Sequence, residues 1–320
     1  MSTLIYHSGA LGDFIACLPL LFRISNSPYG PVSLIGNPDN IAIASASGFI
    51  NRGVDCNSST VAMLFRDKPD RSEIRTFIQE YRLIILFSAH DSPLAQNIRK
   101  CATVPVIIHP PFPEKQLPVT QYHLELLKQI NLPAPVTATE SVPFITIAGQ
   151  TKVHVTRQPK PDSLIIHPGS GSQRKNWPFE RFITVADTFR KRGLPIVWLT
   201  GPAEYDLSTP SQDSRYSNQP ILDCCDLLLK GAVFLGNDSG IAHLAAAVGT
   251  PSVVLFGPSD PAVWAPKGKK RITIIHHHHA CTPCHPGSSN KINCTNECLE
   301  TIPVEEVISA IECLLPRNIS

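Results

Sequence analysis

Asn237-Asp238-Ser239-Gly240 stands between an apolar run, AVFLG, and IAHLAAAVG, a stretch of helical period that ends on Gly249. Short polar residues at such a junction can cap the first turn, whose N–H groups have no partner inside the helix. The same N–H groups, at the positive end of the helix dipole, form a ready anion site. Asp238 can therefore cap a helix that starts near Ser239, or it can help to grip a ligand. His243 follows one turn later on the same helix, reachable from its mouth.

Three other loops carry comparable chemistry. HPGSGSQRKNWP, His167 to Pro178, supplies Gly169, Ser170, Gly171 and Ser172 as a donor-rich turn, with Lys175 as its cation. Backbone N–H groups, hydroxyls and one lysine suit a diphosphate. The loop lacks G-K-[ST], so it is not a P-loop, and an ordinary Gly/Ser connection is the alternative. Pro178 can occupy the first turn of the helix that follows. LTGPAEYD places Glu204 beyond a strand end, where a carboxylate can accept from ribose hydroxyls or simply face solvent. HSGALGD, His7 to Asp13, brings Gly9 and Gly12 to a helix start. It matches a dinucleotide fingerprint only loosely, because the third glycine and the acid of the next strand are missing. Asp13 is either a first-turn acid that suits the dipole or a general base.

Cys281, Cys284, His285, Cys294 and Cys298 form a C-x2-C…C-x3-C segment. A tetrahedral structural zinc on the four cysteines is compatible with that spacing, and reduced, packed thiols are the alternative. HHHH, His276–His279, lies inside the chain after RITII and reads as native sequence.

These loops need scaffolds. Short apolar runs such as TLIYH, VSLIG, LIILF, SLIIH, IVWLT and SVVLF alternate with loops and helical periods, the pattern of parallel sheets covered by helices on both faces. At 320 residues the chain accommodates two domains. The polar, proline-bearing AGQTKVHVTRQPKPDS divides two βα series of similar size. The expected layout is an N-terminal domain over 1–150, a linker over 151–162 and a C-terminal domain over 163–320. Two such doubly wound domains facing each other across a cleft would turn their strand-end loops toward it.

Composition narrows the function classes. A net charge of +2 gives no general pull toward nucleic acid, and the excess lies in the second half, much of it in KGKKR at 267–271. No apolar run reaches the roughly 20 residues of a membrane span. The N-terminus lacks the basic region of a signal peptide, and Asp13 interrupts its apolar part. Ten cysteines in 320 residues do not form a small disulfide scaffold, so a cytoplasmic protein with reduced thiols is expected.

GALGDFIACLPLL, IIHPGSGSQRKNWPFERF, LTGPAEYD, FLGNDSGIAHLAAAVGTPSVVLFGPSDPAVWAP and CTPCHPG…C…C occur in the order seen in glycosyltransferase family 9, which the chain resembles from about residue 4 to residue 312. The resemblance to these bacterial heptosyltransferases of lipopolysaccharide biosynthesis implies a GT-B fold. Its C-terminal domain would hold a nucleotide-sugar and its N-terminal domain a saccharide acceptor. It implies ADP-heptose as donor, a lipid-linked core saccharide as acceptor, and an inverting transfer without a metal. Carried over by motif, Asp13 becomes the base, with Gly9 and Gly12 in the acceptor-side loop. Lys175 becomes the phosphate cation, with Ser170 and Gly171 beside it. Glu204 becomes the ribose ligand, and Asp238, Ser239, Gly240 and His243 complete the donor site. At most peripheral contact with the inner membrane face follows. A GT-B nucleotide-sugar epimerase and a non-catalytic nucleotide-sugar-binding homologue remain the alternatives.

Overall fold

The computed structural model describes residues 1–113, 116–133, 135, 144–145, 162–279, 281–284 and 297–316. It divides into two compact units, 1–150 and 151–320. The linker segment 151–161, His285 and Cys294 lie outside the described residues.

In the first unit a parallel five-stranded sheet has the order β3-β2-β1-β4-β5. Its strands are β1 (Ser2–His7), β2 (Val32–Gly36), β3 (Arg52–Asp55), β4 (Tyr81–Phe87) and β5 (Val106–His109). Between them run α1 (Leu11–Ser25), α2 (Pro38–Ala46), α3 (Ser59–Ala62), α4 (Arg71–Ile78) and α5 (Pro93–Cys101); α6 (Val119–Leu124) and α7 (Leu126–Gln129) follow. Leu4, Ile5, Leu34, Ile84 and Ile85 are fully buried because helices cover both faces of the sheet. Strand order reverses between β1 and β4, and in such sheets ligands bind beyond the strand ends at that point. The loop that carries Asp13 leaves β1 there.

The second unit repeats the plan with six parallel strands in the order β11-β10-β9-β6-β7-β8. These are β6 (Ser163–His167), β7 (Ile196–Thr200), β8 (Ser214–Ser217), β9 (Gly231–Asn237), β10 (Ser252–Phe256) and β11 (Ile272–His276). Its helices are α8 (Phe179–Lys191), α9 (Ile221–Lys230), α10 (Gly240–Val248), α11 (Pro261–Trp264), α12 (Glu297–Glu300) and α13 (Val304–Glu312). Trp177, Phe182, Phe189 and Trp198 fill the core between α8, the sheet and α13. Trp177 Nε1 donates to the Ile302 carbonyl at 3.2 Å, and Arg181 donates to the same oxygen at 2.8 Å, which fixes the segment between α12 and α13. Here the strand order reverses between β6 and β9. The polar loops after those two strands, 168–178 and 238–239, therefore open side by side.

Two edge strands, β3 and β8, escape the apolar-run criterion. RGVD and SRYS are four-residue polar segments at sheet edges, where a strand needs pairing on one side only. The helix α4 is equally absent from the sequence reading, although Asp70 accepts from the Ser72 and Glu73 N–H groups as an ordinary N-cap.

Candidate functional site

The two switch-point loops of the second unit are bolted together by one buried amide. Asn237, fully buried at the end of β9, donates to the Pro168 carbonyl at 2.7 Å and accepts from the Trp177 N–H at 3.0 Å. Its side chain thus spans the loop after β6 from end to end. Asn237→Leu leaves both backbone groups without a partner and should lower the stability of this unit by about 2–4 kcal/mol. All three tryptophans, Trp177, Trp198 and Trp264, belong to this unit, so chemical denaturation followed by tryptophan fluorescence reads the loss directly. An unchanged midpoint would show that the loop holds itself.

Asp238 is not the helix cap. Ser239 occupies the N-cap of α10, its hydroxyl accepting from the Ala242 N–H at 3.3 Å, and Gly249 closes the helix at φ 94°. Asp238 instead turns its nearly buried carboxylate toward the neighbouring loops: Oδ2 accepts from Lys175 Nζ at 2.7 Å and from the Ser259 hydroxyl at 2.6 Å. The Asp238 N–H donates to the Leu255 carbonyl at 2.9 Å, so the backbone is still in register with β10. A serine was available one residue later, which released the aspartate for the ion pair. The partly exposed Lys175 ammonium is consequently held close to the N-terminus of α10.

His243, on α10 one turn after Ser239, is buried like Asp238 and Glu204. Burial pushes its pKa down, and the ring bonds the Trp264 backbone, while the Asp238 and Lys175 charges act on it in opposite senses. The imidazole is therefore neutral near pH 7 and lies within the field of the ion pair. Ser170 Oγ lies 2.6 Å from both the Ser172 carbonyl and Asn176 Oδ1, and its single proton can serve only one of them. Gly171 is exposed, with open space around it. Pro178 sits at the N-cap of α8 rather than in its first turn.

Glu204 ends a short 3-10 turn after β7 and is 5% exposed. Its Oε2 accepts from the Gly201 N–H at 2.7 Å, and its carboxyl lies over Gly169 so closely that a Cβ there would fall 1.8 Å from Oε1. Gly169 is thus required for close approach, and it brings the Glu204 loop onto the loop of Lys175. His167, beneath them, is buried with Nδ1 2.8 Å from the Leu199 carbonyl. Burial lowers its pKa, and the nearby Glu204 charge acts in the opposite sense.

In the first unit the loop after β1 is clamped by β2–α2. Asn37 Nδ2 donates to the Ser8 and Gly9 carbonyls at 3.1 and 3.0 Å, and Asn40 Nδ2 donates to Gly9 at 3.1 Å. A Cβ on Gly9 would meet His7 Cε1 at 2.9 Å and Asp13 Cβ at 3.5 Å. Ala10 at the N-cap of α1 offers no side-chain acceptor, and Asp13 stands in the first turn. Burial pushes the Cys17 thiol well up, and the Asp13 charge adds to this, so the nearby thiol is no nucleophile. His7 packs edge-on against Phe14 and Phe87, and Phe87 also meets His109 and His123. Burial lowers His7 and His109 to about 4 and holds His123 well below the ordinary histidine value, so the three rings are neutral near pH 7. Sequence reasoning missed this cluster, together with Asn37, Asn40 and Ser259, and it singled out Asn237 without its role in joining the two loops. Only Ser259 carried a signal, the S-D-P of a helix start in which Asp260 caps α11.

The cysteine segment is only partly described. Cys281 Sγ lies 3.2 Å from His279 Nδ1, and Cys298 is buried. Among the described residues no group of three or more His, Cys, Asp or Glu could hold a metal ion.

The family model of glycosyltransferase family 9 (heptosyltransferase) matches residues 112–293, more than half of the chain, including both switch-point loops of the second unit. The chain belongs to this family. Lipopolysaccharide heptosyltransferase 3 of Escherichia coli K12 is 29% identical over 165 residues, covering 48% of this chain and 47% of the relative. The chain thus aligns with about half the length of the curated relatives it matches. Over the whole fold it is similar to a glycosyl transferase family 9 protein of Veillonella parvula, with a TM-score of 0.75 at 19% identity, covering 98% and 96% of the two chains. The E. coli ADP-heptose lipopolysaccharide heptosyltransferase II has the same TM-score at 15% identity, with complete coverage of both chains. The family 9 chain accordingly has the GT-B fold of two Rossmann-like domains.

Proposed function

We propose that the chain transfers a heptose or closely related sugar from a nucleotide-sugar, ADP-heptose, to a saccharide acceptor of the lipopolysaccharide-core type. The observation that carries this reading is the Lys175–Asp238 pair, set where strand order reverses and beside the start of α10. Loops at such a switch point are where doubly wound sheets take nucleotides. The names of the family 9 relatives supply the sugar and the acceptor class.

In this proposal the unit over 163–320 holds the donor, the unit over 1–150 the acceptor, and residues 151–162 link them. Lys175 and the N–H groups at Ser239 and Gly240 face the diphosphate, with Ser170 and Gly171 closing the loop over it. Glu204 Oε2 is committed to Gly201, so Oε1 is the oxygen left to accept from a ribose hydroxyl. Asp13 removes the proton of the acceptor hydroxyl, and Gly9 and Gly12 let substrate approach the loop. The hydroxyl oxygen forms its bond to C1 as the C1–O bond to the diphosphate breaks. Attack from the face opposite ADP inverts the centre, and the electron pair leaves with ADP. Lys175 and the helix start neutralise the charge that collects there, so no divalent ion is assigned to the step.

Among the described residues no helix is long and apolar enough to cross a membrane. A lipid-linked acceptor would be met by peripheral contact at the inner membrane face. Calorimetric titration with ADP-heptose, UDP-sugars and GDP-sugars tests the reading. Selective binding of ADP-heptose, and transfer that persists in EDTA, is the expected result. Binding of a UDP-sugar alone would overturn the heptose assignment, and binding without transfer to any core saccharide would favour the non-catalytic alternative.

A further inference from the structure

Three successive strand ends of the second sheet converge on a single carboxylate oxygen. Lys175 comes from the loop after β6, Asp238 from the end of β9 and Ser259 from the loop after β10. The third contributor is the least expected, because nothing in the donor chemistry itself requires a hydroxyl there. Its loop is nevertheless held on both sides. A Cβ on Gly257 would fall 2.6 Å from Leu299 Cγ, and Asp260 Oδ1 accepts from the Ala262 N–H at 2.8 Å. The Ser259 hydroxyl is therefore presented from a fixed scaffold.

We propose that Ser259 is a positioning residue for the diphosphate of the donor. It holds Asp238 Oδ2, and Asp238 in turn holds the Lys175 ammonium. The inference rests on the donor reading given above and adds to it the device that readies the cation. A lysine is a point charge on a flexible four-carbon stem, and ordering that stem on ligand binding costs affinity. A carboxylate 2.7 Å away orders it beforehand, but only if the carboxylate itself has one position. Asp238 is nearly buried, where an under-bonded carboxylate is costly, and the Ser259 hydroxyl supplies its second donor.

The test is ADP binding by titration calorimetry on the full chain, with Ser259→Ala, Ser259→Thr, Lys175→Ala and the Lys175→Ala/Ser259→Ala double variant. Ser259→Ala should weaken ADP by about tenfold, the scale of a lost hydrogen bond to a charged group, while adenosine binding stays level. Ser259→Thr, which keeps the hydroxyl, should restore most of the affinity. In the Lys175→Ala background the serine change should add little, because the residue acts through the lysine. Wild-type ADP affinity in Ser259→Ala overturns the inference, as does an equal loss for ADP and adenosine. Full additivity in the double variant overturns it too. Wild-type ADP affinity in Lys175→Ala instead overturns the donor reading itself. Weak binding in Lys175→Ala with normal binding in Ser259→Ala removes only the positioning role.

Discussion

Lys175→Ala is expected to weaken ADP binding by roughly two orders of magnitude while leaving the fold in place. Two losses add. The diphosphate forfeits a charge-assisted contact, worth about 1.5–3 kcal/mol and reduced by solvent because the ammonium is partly exposed. The nearly buried Asp238 carboxylate then keeps only the Ser259 hydroxyl on Oδ2 and places an unneutralised charge beside the anion. The second loss makes a specific demand on the companion variant. Lys175→Ala/Asp238→Asn removes the stranded charge and should recover part of the affinity, although it changes two site residues rather than one. Lys175→Arg should fall between wild type and alanine, since a planar guanidinium does not reproduce the geometry of a point charge. Calorimetry with ADP ranks the four proteins. Equal affinity in wild type and Lys175→Ala would remove the diphosphate from this loop.

How far the sequence disclosed this site depends on what kind of information each residue carries. Lys175, Glu204 and Asp238 stand at strand ends, and strand ends are legible from apolar runs punctuated by glycine and polar residues. Their assembly follows from topology: once the second sheet has the order β8-β7-β6-β9-β10-β11, the loops after β6 and β9 must adjoin. What local pattern could not settle is the choice between two chemically equivalent caps. Asp238 and Ser239 can each accept from a first-turn N–H, and only the tertiary position of Lys175 and Ser259 decides which does. The resemblance placed His243 in the donor site, but its burial and its bond to the Trp264 backbone are long-range facts that helical spacing does not contain. Asn237 is the plainest case. Its sequence context reads as a polar loop residue, yet it ends a strand buried from Ala232 onward and satisfies two backbone groups of a loop 60 and 69 residues earlier.

Asp13 is where two readings of one carboxylate make separable predictions. It stands in the first turn of α1, where a negative charge stabilises the helix dipole by about 0.3–1 kcal/mol. If that is its whole contribution, Asp13→Asn lowers stability by this small amount and leaves turnover intact. If it is the base, the same substitution should slow transfer by roughly a hundred- to ten-thousand-fold while ADP affinity holds, because the Lys175 site belongs to the other unit. The surrounding groups favour the second outcome. His7, the other titratable group flanking Gly9, is lowered to about 4 by burial, and Cys17 is pushed well up, so neither takes a proton from a sugar hydroxyl near pH 7 as readily as an exposed group of its kind. Burial lowers His109 and His123 as well, and both are nearly inaccessible to a substrate. Transfer from ADP-heptose at saturating donor, measured beside ADP titration of the same preparation, decides between the two. A variant that binds ADP normally and turns over at the wild-type rate would leave Asp13 a helix residue and move the search for the base off this loop.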